Sequence, residues 1–315
     1  MQTGKRILVV LLLVLVAVCA GVALTWAPDR PVSELQARWA QPPSSFIKIM
    51  GMEVHYRDEG PRDDPEPIVL LHGTSSSLHT WDGWAAGLSG KRRVIRFDLP
   101  GFGLTGPDPA GDYTMQHYVD FVDVMMTALG VTRYVVGGNS LGGEIAWECA
   151  IANPARVRKL ILVDAAGYVP AGSMPIGFRV AQWPGINKIS KYVLPRSMIE
   201  TSLKQVYGDP SKVTPELVDR YYELTLREGN RAAVSARFAQ SNKGSDEKKI
   251  SKVAVPTLII WGGQDRLIPP ATAEMFHNDI PGSWVVMFDQ LGHVPQEEGP
   301  SQTLDAVRQF LKITP

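Results

Sequence analysis

Gly138-Asn139-Ser140-Leu141-Gly142 sets a serine between two glycines. Residues 134–138 read as a short buried strand, and residues from about 141 to 153 as a helix. A serine on so sharp a strand-to-helix turn projects from the end of its sheet. The glycines two before and two after it let the limbs of the turn pass each other. The backbone N–H of Leu141, at the helix start, faces the place where an oxyanion would develop. Such a serine supports acyl transfer through a serine ester, given a base and an acid to orient that base. Asp265 follows the apolar run 257–261 in Gly262-Gly263-Gln264-Asp265, and His293 follows the run 284–288. Ser140, Asp265 and His293 therefore stand in the chain order that a nucleophile-elbow architecture uses. His293 is expected to take the proton of Ser140 and return it to the leaving group, with Asp265 holding the imidazole tautomer. Asp164, after the run 160–163, is a rival acid. A second oxyanion donor is expected at the N–H of Thr74, in the turn His72-Gly73-Thr74-Ser75-Ser76.

Other residues receive blander readings. His72 is expected to buttress its loop, and His55, His79, His117 and His277 to be solvated. Trp81 and Trp84 suit either a pocket wall or the core.

These residues need a sheet whose strand ends converge. Residues 46–50 and 53–56 flank Gly51-Met52 and predict a hairpin. Short β-branched or apolar runs follow at 68–71, 93–97, 134–138, 160–163, 257–261 and 284–288, with helical periodicity at 115–129, about 141–153 and 301–313. Alternation of buried strands with helices predicts an α/β fold with a mostly parallel sheet. From about 168 to 250 no strand pattern occurs. Helical stretches replace it, the clearest opening at Thr214-Pro215, a cap and a first-turn proline. This insert is expected to form a lid carrying Met174, Phe178, Trp183, Tyr192, Tyr207, Tyr221, Tyr222 and Phe238.

The chain of 315 residues carries 32 Lys+Arg and 32 Asp+Glu, so its formal charge is zero and a globally basic nucleic-acid binder is excluded. Two cysteines exclude a disulfide framework and a cysteine-based zinc site. Lys5 and Arg6 precede an uncharged apolar run at 7–24, which as a helix rises about 27 Å. This predicts an N-terminal transmembrane anchor at 1–26, with the rest of the chain on the non-cytoplasmic side. A cleaved signal segment and a secreted product is the alternative. Residues 27–44, with Pro28, Pro31, Pro42 and Pro43, read as a tether that includes a short helix. The core is expected at 45–167 and 251–315, divided by the lid at 168–250.

The motifs His72-Gly73, Asp98-Leu99-Pro100-Gly101-Phe102-Gly103, Gly138 to Gly143, Gly262 to Asp265, and Gly292-His293 together resemble the α/β-hydrolase superfamily over roughly residues 46–314. The resemblance implies an α/β-hydrolase fold with an eight-stranded sheet, a lid after the sixth strand, and no cofactor or metal. Dehalogenase and epoxide-hydrolase members carry an elbow aspartate, whereas this chain has Ser140. Members that cleave carbon–carbon bonds use serine, but they usually carry a longer glycine-rich stretch after the His-Gly and a tryptophan after the histidine. Thr74-Ser75-Ser76 and Val294 stand in those places. The expected activity is hydrolysis of carboxylic esters of apolar substrates, lipid-derived ones among them, with the membrane as a partner through the N-terminal segment and no nucleic acid. Carbon–carbon bond hydrolysis and a non-catalytic membrane-tethered binding protein are the alternatives.

Overall fold

In the computed structural model, which describes residues 2–169, 172–182, 192–241 and 246–313, eight strands form one sheet in the order β1-β2-β4-β3-β5-β6-β7-β8. β1 (Ser45–Ile49) and β2 (Met52–Glu59) make the antiparallel hairpin, with Ile49 opposite Met52. Its two-residue turn is Met50-Gly51, both at positive φ, the turn that matches the twist of paired strands. β2 runs antiparallel to β4 (Val94–Phe97), and all further pairings are parallel. They join β3 (Ile68–Leu71), β5 (Tyr134–Asn139), β6 (Val157–Val163), β7 (Thr257–Gly262) and β8 (Trp284–Phe288).

The central strands are apolar throughout because both faces are covered. In β3, Ile68 and Leu70 pack with Trp81, Trp84, Leu304 and Val307, while Val69 and Leu71 point the other way, toward Tyr118, Phe121, Ile145 and Trp147. Asp82–Leu88 and Pro300–Leu311 thus cover one face, and Met115–Ala128, Leu141–Ala152 and Ala271–Asp279 the other. Trp81 and Trp84 are core residues, fully buried, and do not line the pocket described below.

Between β6 and β7 lie the helices Ile176–Ala181, Arg196–Val206, Pro215–Thr225 and Asn230–Gln240. Thr214 caps the third by accepting the N–H of Leu217 at 3.2 Å. Trp183 lies outside the described residues. Tyr192, expected among the lid aromatics, stacks on Trp26 at 5.5 Å between ring centroids.

The N-terminal expectation is corrected. The apolar run does form a helix, Gln2–Leu24, with exposed side chains along residues 7–13. Among the described residues, however, no helix is long and apolar enough to cross a membrane. The uncharged stretch gives about 27 Å of rise against a hydrocarbon thickness of about 30 Å, and Lys5 and Arg6 occupy the helix's opening turns. The single-pass anchor, the membrane as partner, and the orientation inferred from them all fall with that finding. Nor are residues 27–40 a free spacer. Ala27 N–H donates to Tyr192 O (2.8 Å), Arg30 N–H to Leu226 O (2.7 Å) and Glu228 N–H to Arg30 O (2.8 Å). Arg38 pairs with Glu223 at 2.8 Å and Asp219 at 3.2 Å, while Leu35 is buried beside Leu104 and Leu224. The prolines hold the strand extended enough to bond along the lid, and the helix Val32–Trp39 then lies against Pro215–Thr225.

Candidate active site

Ser140 sits between β5 and the helix Leu141–Ala152 with φ 54° and ψ −117°, a backbone conformation strained for a residue with a side chain. The crowding that demands the flanking glycines is severe. A Cβ on Gly138 would lie 2.0 Å from Gly142 O, and one on Gly142 2.2 Å from Leu71 O. β5 lies between β3 and β6, so the serine emerges at the centre of the sheet's carboxyl edge, where α/β sheets bind ligands.

His293 and Asp265 come from the loops after β8 and β7. Asp265 Oδ2 is 2.7 Å from His293 Nδ1, and both side chains are buried. The other carboxylate oxygen of Asp265 accepts the N–H groups of Leu267 (2.8 Å) and Ile268 (2.9 Å). With an acceptor at Nδ1, the imidazole carries its proton there and leaves Nε2 basic. The His293 backbone is held at both ends: its N–H donates to Val206 O in the lid (2.7 Å), and its carbonyl accepts from Asn139 Nδ2 (2.9 Å).

Thr74 and Leu141 both border the elbow. Neither backbone N–H has a protein acceptor among the described residues. Ser75, next to Thr74, is at φ 60°. His72 buttresses this loop as expected. Its Nε2 accepts the N–H of Leu99 (3.0 Å), so Nδ1–H donates to Gly73 O (2.8 Å), and complete burial keeps the ring neutral by lowering its pKa.

Two other histidines depart from expectation, being buried rather than solvated. His55 bridges Asp98 Oδ2 and Ser44 Oγ, each at 2.8 Å. Despite its complete burial, Asp98 is held below the usual carboxylate range by His55. Burial lowers the pKa of His79 to about 3. Their neighbours come from distant segments, which local sequence does not reveal.

Sequence reasoning also missed Asn139 and Glu298. The Asn139 amide donates to Val163 O (3.1 Å) as well as to His293 O, tying the elbow to two neighbouring loops. Buried Glu298 accepts the N–H groups of Gly208 (3.0 Å), Asp209 (2.8 Å) and Gly292 (2.7 Å), joining the lid to the histidine loop. Only the position of Glu298 five residues after His293 hinted at this.

A cavity of about 140 Å³, open to solvent, lies over Ser140 and His293. Its walls are lid residues such as Phe178, Leu194, Met198, Ile199 and Leu203, with Val294 and Leu267 from the core. Tyr221 also reaches it, whereas Tyr207 and Phe238 pack elsewhere. Among the described lining residues the one permanent cation is Arg231, which is paired with Asp29. For a metal, Asp164, Asp265 and His293 offer ligand-type atoms within 4.8 Å of one another. His293 Nδ1 and Asp265 Oδ2 are already hydrogen-bonded to each other at 2.7 Å, and Asp164 Oδ1 accepts the Gly262 N–H, which leaves Asp164 Oδ2 without a donor.

The sequence profile described as "alpha/beta hydrolase fold" matches residues 66–300. "Lipase 1" of Psychrobacter immobilis is 28% identical over 260 residues, covering 79% of this chain and 77% of that one. "2-Hydroxy-6-oxo-2,4-heptadienoate hydrolase" of Pseudomonas putida is 28% identical over 270 residues, covering 83% and 93%. Among solved structures, the meta-cleavage product hydrolase of Pseudomonas fluorescens IP01 superposes with a TM-score of 0.73 at 25% identity, covering 85% and 97%.

Proposed function

The chain belongs to the α/β-hydrolase family, and on that premise we propose that it hydrolyses carboxylic esters with an apolar acyl group, through a serine ester on Ser140. In this reading His293 Nε2 takes the hydroxyl proton as Ser140 Oγ attacks the ester carbonyl carbon. The oxyanion of the tetrahedral intermediate meets the N–H groups of Thr74 and Leu141. Two such preorganised donors contribute several kcal/mol of transition-state stabilisation. The intermediate collapses, the C–O bond to the alcohol breaks, and His293 gives the proton to the departing oxygen. Water, deprotonated by the same nitrogen, then releases the acid. Asp265 keeps the Nδ1 proton in place and offsets the charge of the transient imidazolium.

The observation that carries the ester reading is the apolar cavity, whose one permanent cation among the described lining residues is already paired. A 2-hydroxy-6-oxo-dienoate, the substrate class in the name of the Pseudomonas putida relative, brings a carboxylate into its pocket. Here Arg231 would have to give up Asp29, which it holds through Nε at 3.0 Å and a second guanidinium nitrogen at 2.5 Å. A neutral acyl chain requires no such exchange and gains from the lining by burying apolar area.

The test compares kcat/KM of the full chain on p-nitrophenyl esters of graded acyl length with that on 2-hydroxy-6-oxo-2,4-heptadienoate. The ester reading expects the esters to be preferred, with an optimum beyond acetate. Faster cleavage of the dienoate would transfer the site to carbon–carbon hydrolysis.

A further inference from the structure

Asp164 directly follows β6 at φ 44°, a conformation that residues with side chains seldom adopt. Strand pairing holds it there, since its N–H donates to Ile260 O at 3.0 Å. The residue is fully buried. One oxygen, Oδ1, accepts the Gly262 N–H at 3.0 Å, whereas Oδ2 is buried without a donor. The neighbour is the carboxylate of Asp265, with ligand-type atoms of Asp164, Asp265 and His293 all within 4.8 Å.

Two carboxylates this close in a dry site cannot both be ionised. The donors decide which one keeps the charge. Asp265 has three, from Leu267, Ile268 and His293 Nδ1, and Asp164 has one. The charged groups facing Asp164 from the surrounding loops act in the same sense. Burial first, then Asp265, with Glu298 adding negative charge, push its pKa well above the usual carboxylate range.

We propose that Asp164 is a positioning residue of the triad, a neutral carboxylic acid whose Oδ2–H donates to the Asp265 carboxylate while Oδ1 accepts from Gly262. This rests on Asp265 serving His293 as read above. The extra donor fixes the Asp265 carboxyl plane against β6 and makes Asp265 less basic, so the shared proton of the Asp265–His293 pair stays on Nδ1. The acid after β6 is then a partner of the acid after β7, not its rival. No net proton leaves Asp164 during turnover.

An asparagine at 164 can make the same two bonds, its amide donating to Asp265 and its oxygen accepting from Gly262. Asp164→Asn is therefore expected to keep kcat and its pH profile close to those of the starting chain. Asp164→Ala should lose about 10–100-fold in kcat, the cost of one hydrogen bond to a charged group, with KM little changed. An infrared difference spectrum at neutral pH, taken between Ser140→Ala chains with and without Asp164→Asn, should contain the carbonyl band of one neutral carboxylic acid. That readout needs no turnover, so it stands even if the ester reading fails. Absence of the band, an asparagine variant as impaired as Asp265→Asn, or one no better than Asp164→Ala would overturn the proposal.

Discussion

At Asp265 three donors converge on one carboxylate, and one of them is the imidazole that must stay correctly protonated. Asp265→Asn offers His293 an amide that can present either a donor or an acceptor, so the useful tautomer is no longer enforced. We expect kcat to fall by about 10⁴ with little change in thermal midpoint, measured by ester turnover and a melt. His79 yields a prediction of another kind. Its Nε2–H donates to Trp39 O at 2.9 Å, Nδ1 lies 3.0 Å from Ser77 Oγ, and burial disfavours the charged ring. With a folded pKa of about 3 against 6.5 for the free side chain, the unfolded chain binds the proton first as pH falls. Stability from His79 is therefore full above about pH 6.5 and declines toward pH 3, by a few kcal/mol at most. Urea midpoints at pH 7, 5 and 4 should show a shallower decline in His79→Gln. The strand-end positions of Ser140, Asp265 and His293 were legible because each lies within a few residues of a strand that is itself legible. Asn139, Glu298 and the buried histidines were not, because their partners lie up to 154 residues away and exist only once the loops are assembled.

Among the elements, most strands were read to within a residue of their ends, with β2 and β6 three residues short, since runs such as Ile68–Leu71 are wholly apolar, too short for a helix and bounded by turn residues. The helix Asp82–Leu88 carried no such mark. It is short, and its two glycines, poor helix formers, lie where Pro300 and Leu304 press against it. The segment after Leu24 was misread as a tether because prolines and scattered charge resemble a linker, while the bonds it makes belong to lid residues far along the chain. Its burial has a testable consequence. A chain beginning at residue 25 should stay folded and keep ester turnover. Leu35→Ala in that chain should cost about 2–5 kcal/mol of local stability, and Asp29→Ala should raise KM by freeing Arg231 at the cavity wall. Melts and KM values check both, and a chain indifferent to both changes would mean that the strap does not brace the lid.

In the proposed mechanism the strand ends of the sheet carry the reacting groups, and the helices between β6 and β7 supply most of the apolar cavity wall. They meet at many points, among them Val206 O on the His293 N–H, Glu298 on the N–H groups of Gly208 and Asp209, Tyr221 on Glu297 and Asn230 on Gly103 O. Substrate length should accordingly be set by lid residues without touching the chemistry. Ile199→Trp, which would fill part of the cavity, is expected to shift the acyl-length optimum to shorter esters and leave acetate turnover nearly unchanged. A uniform loss across all lengths would show that the acyl chain lies elsewhere.

The central claim is that an ester's acyl group passes through Ser140. Its most direct measurement is intact-protein and peptide mass after rapid acid quench of the full chain reacting with a p-nitrophenyl ester, alongside Ser140→Ala. The account predicts an acyl adduct on the peptide containing Ser140, formed as nitrophenol is released, with neither adduct nor turnover in the alanine variant. Turnover that survives in Ser140→Ala, or an adduct on any other residue, would contradict it.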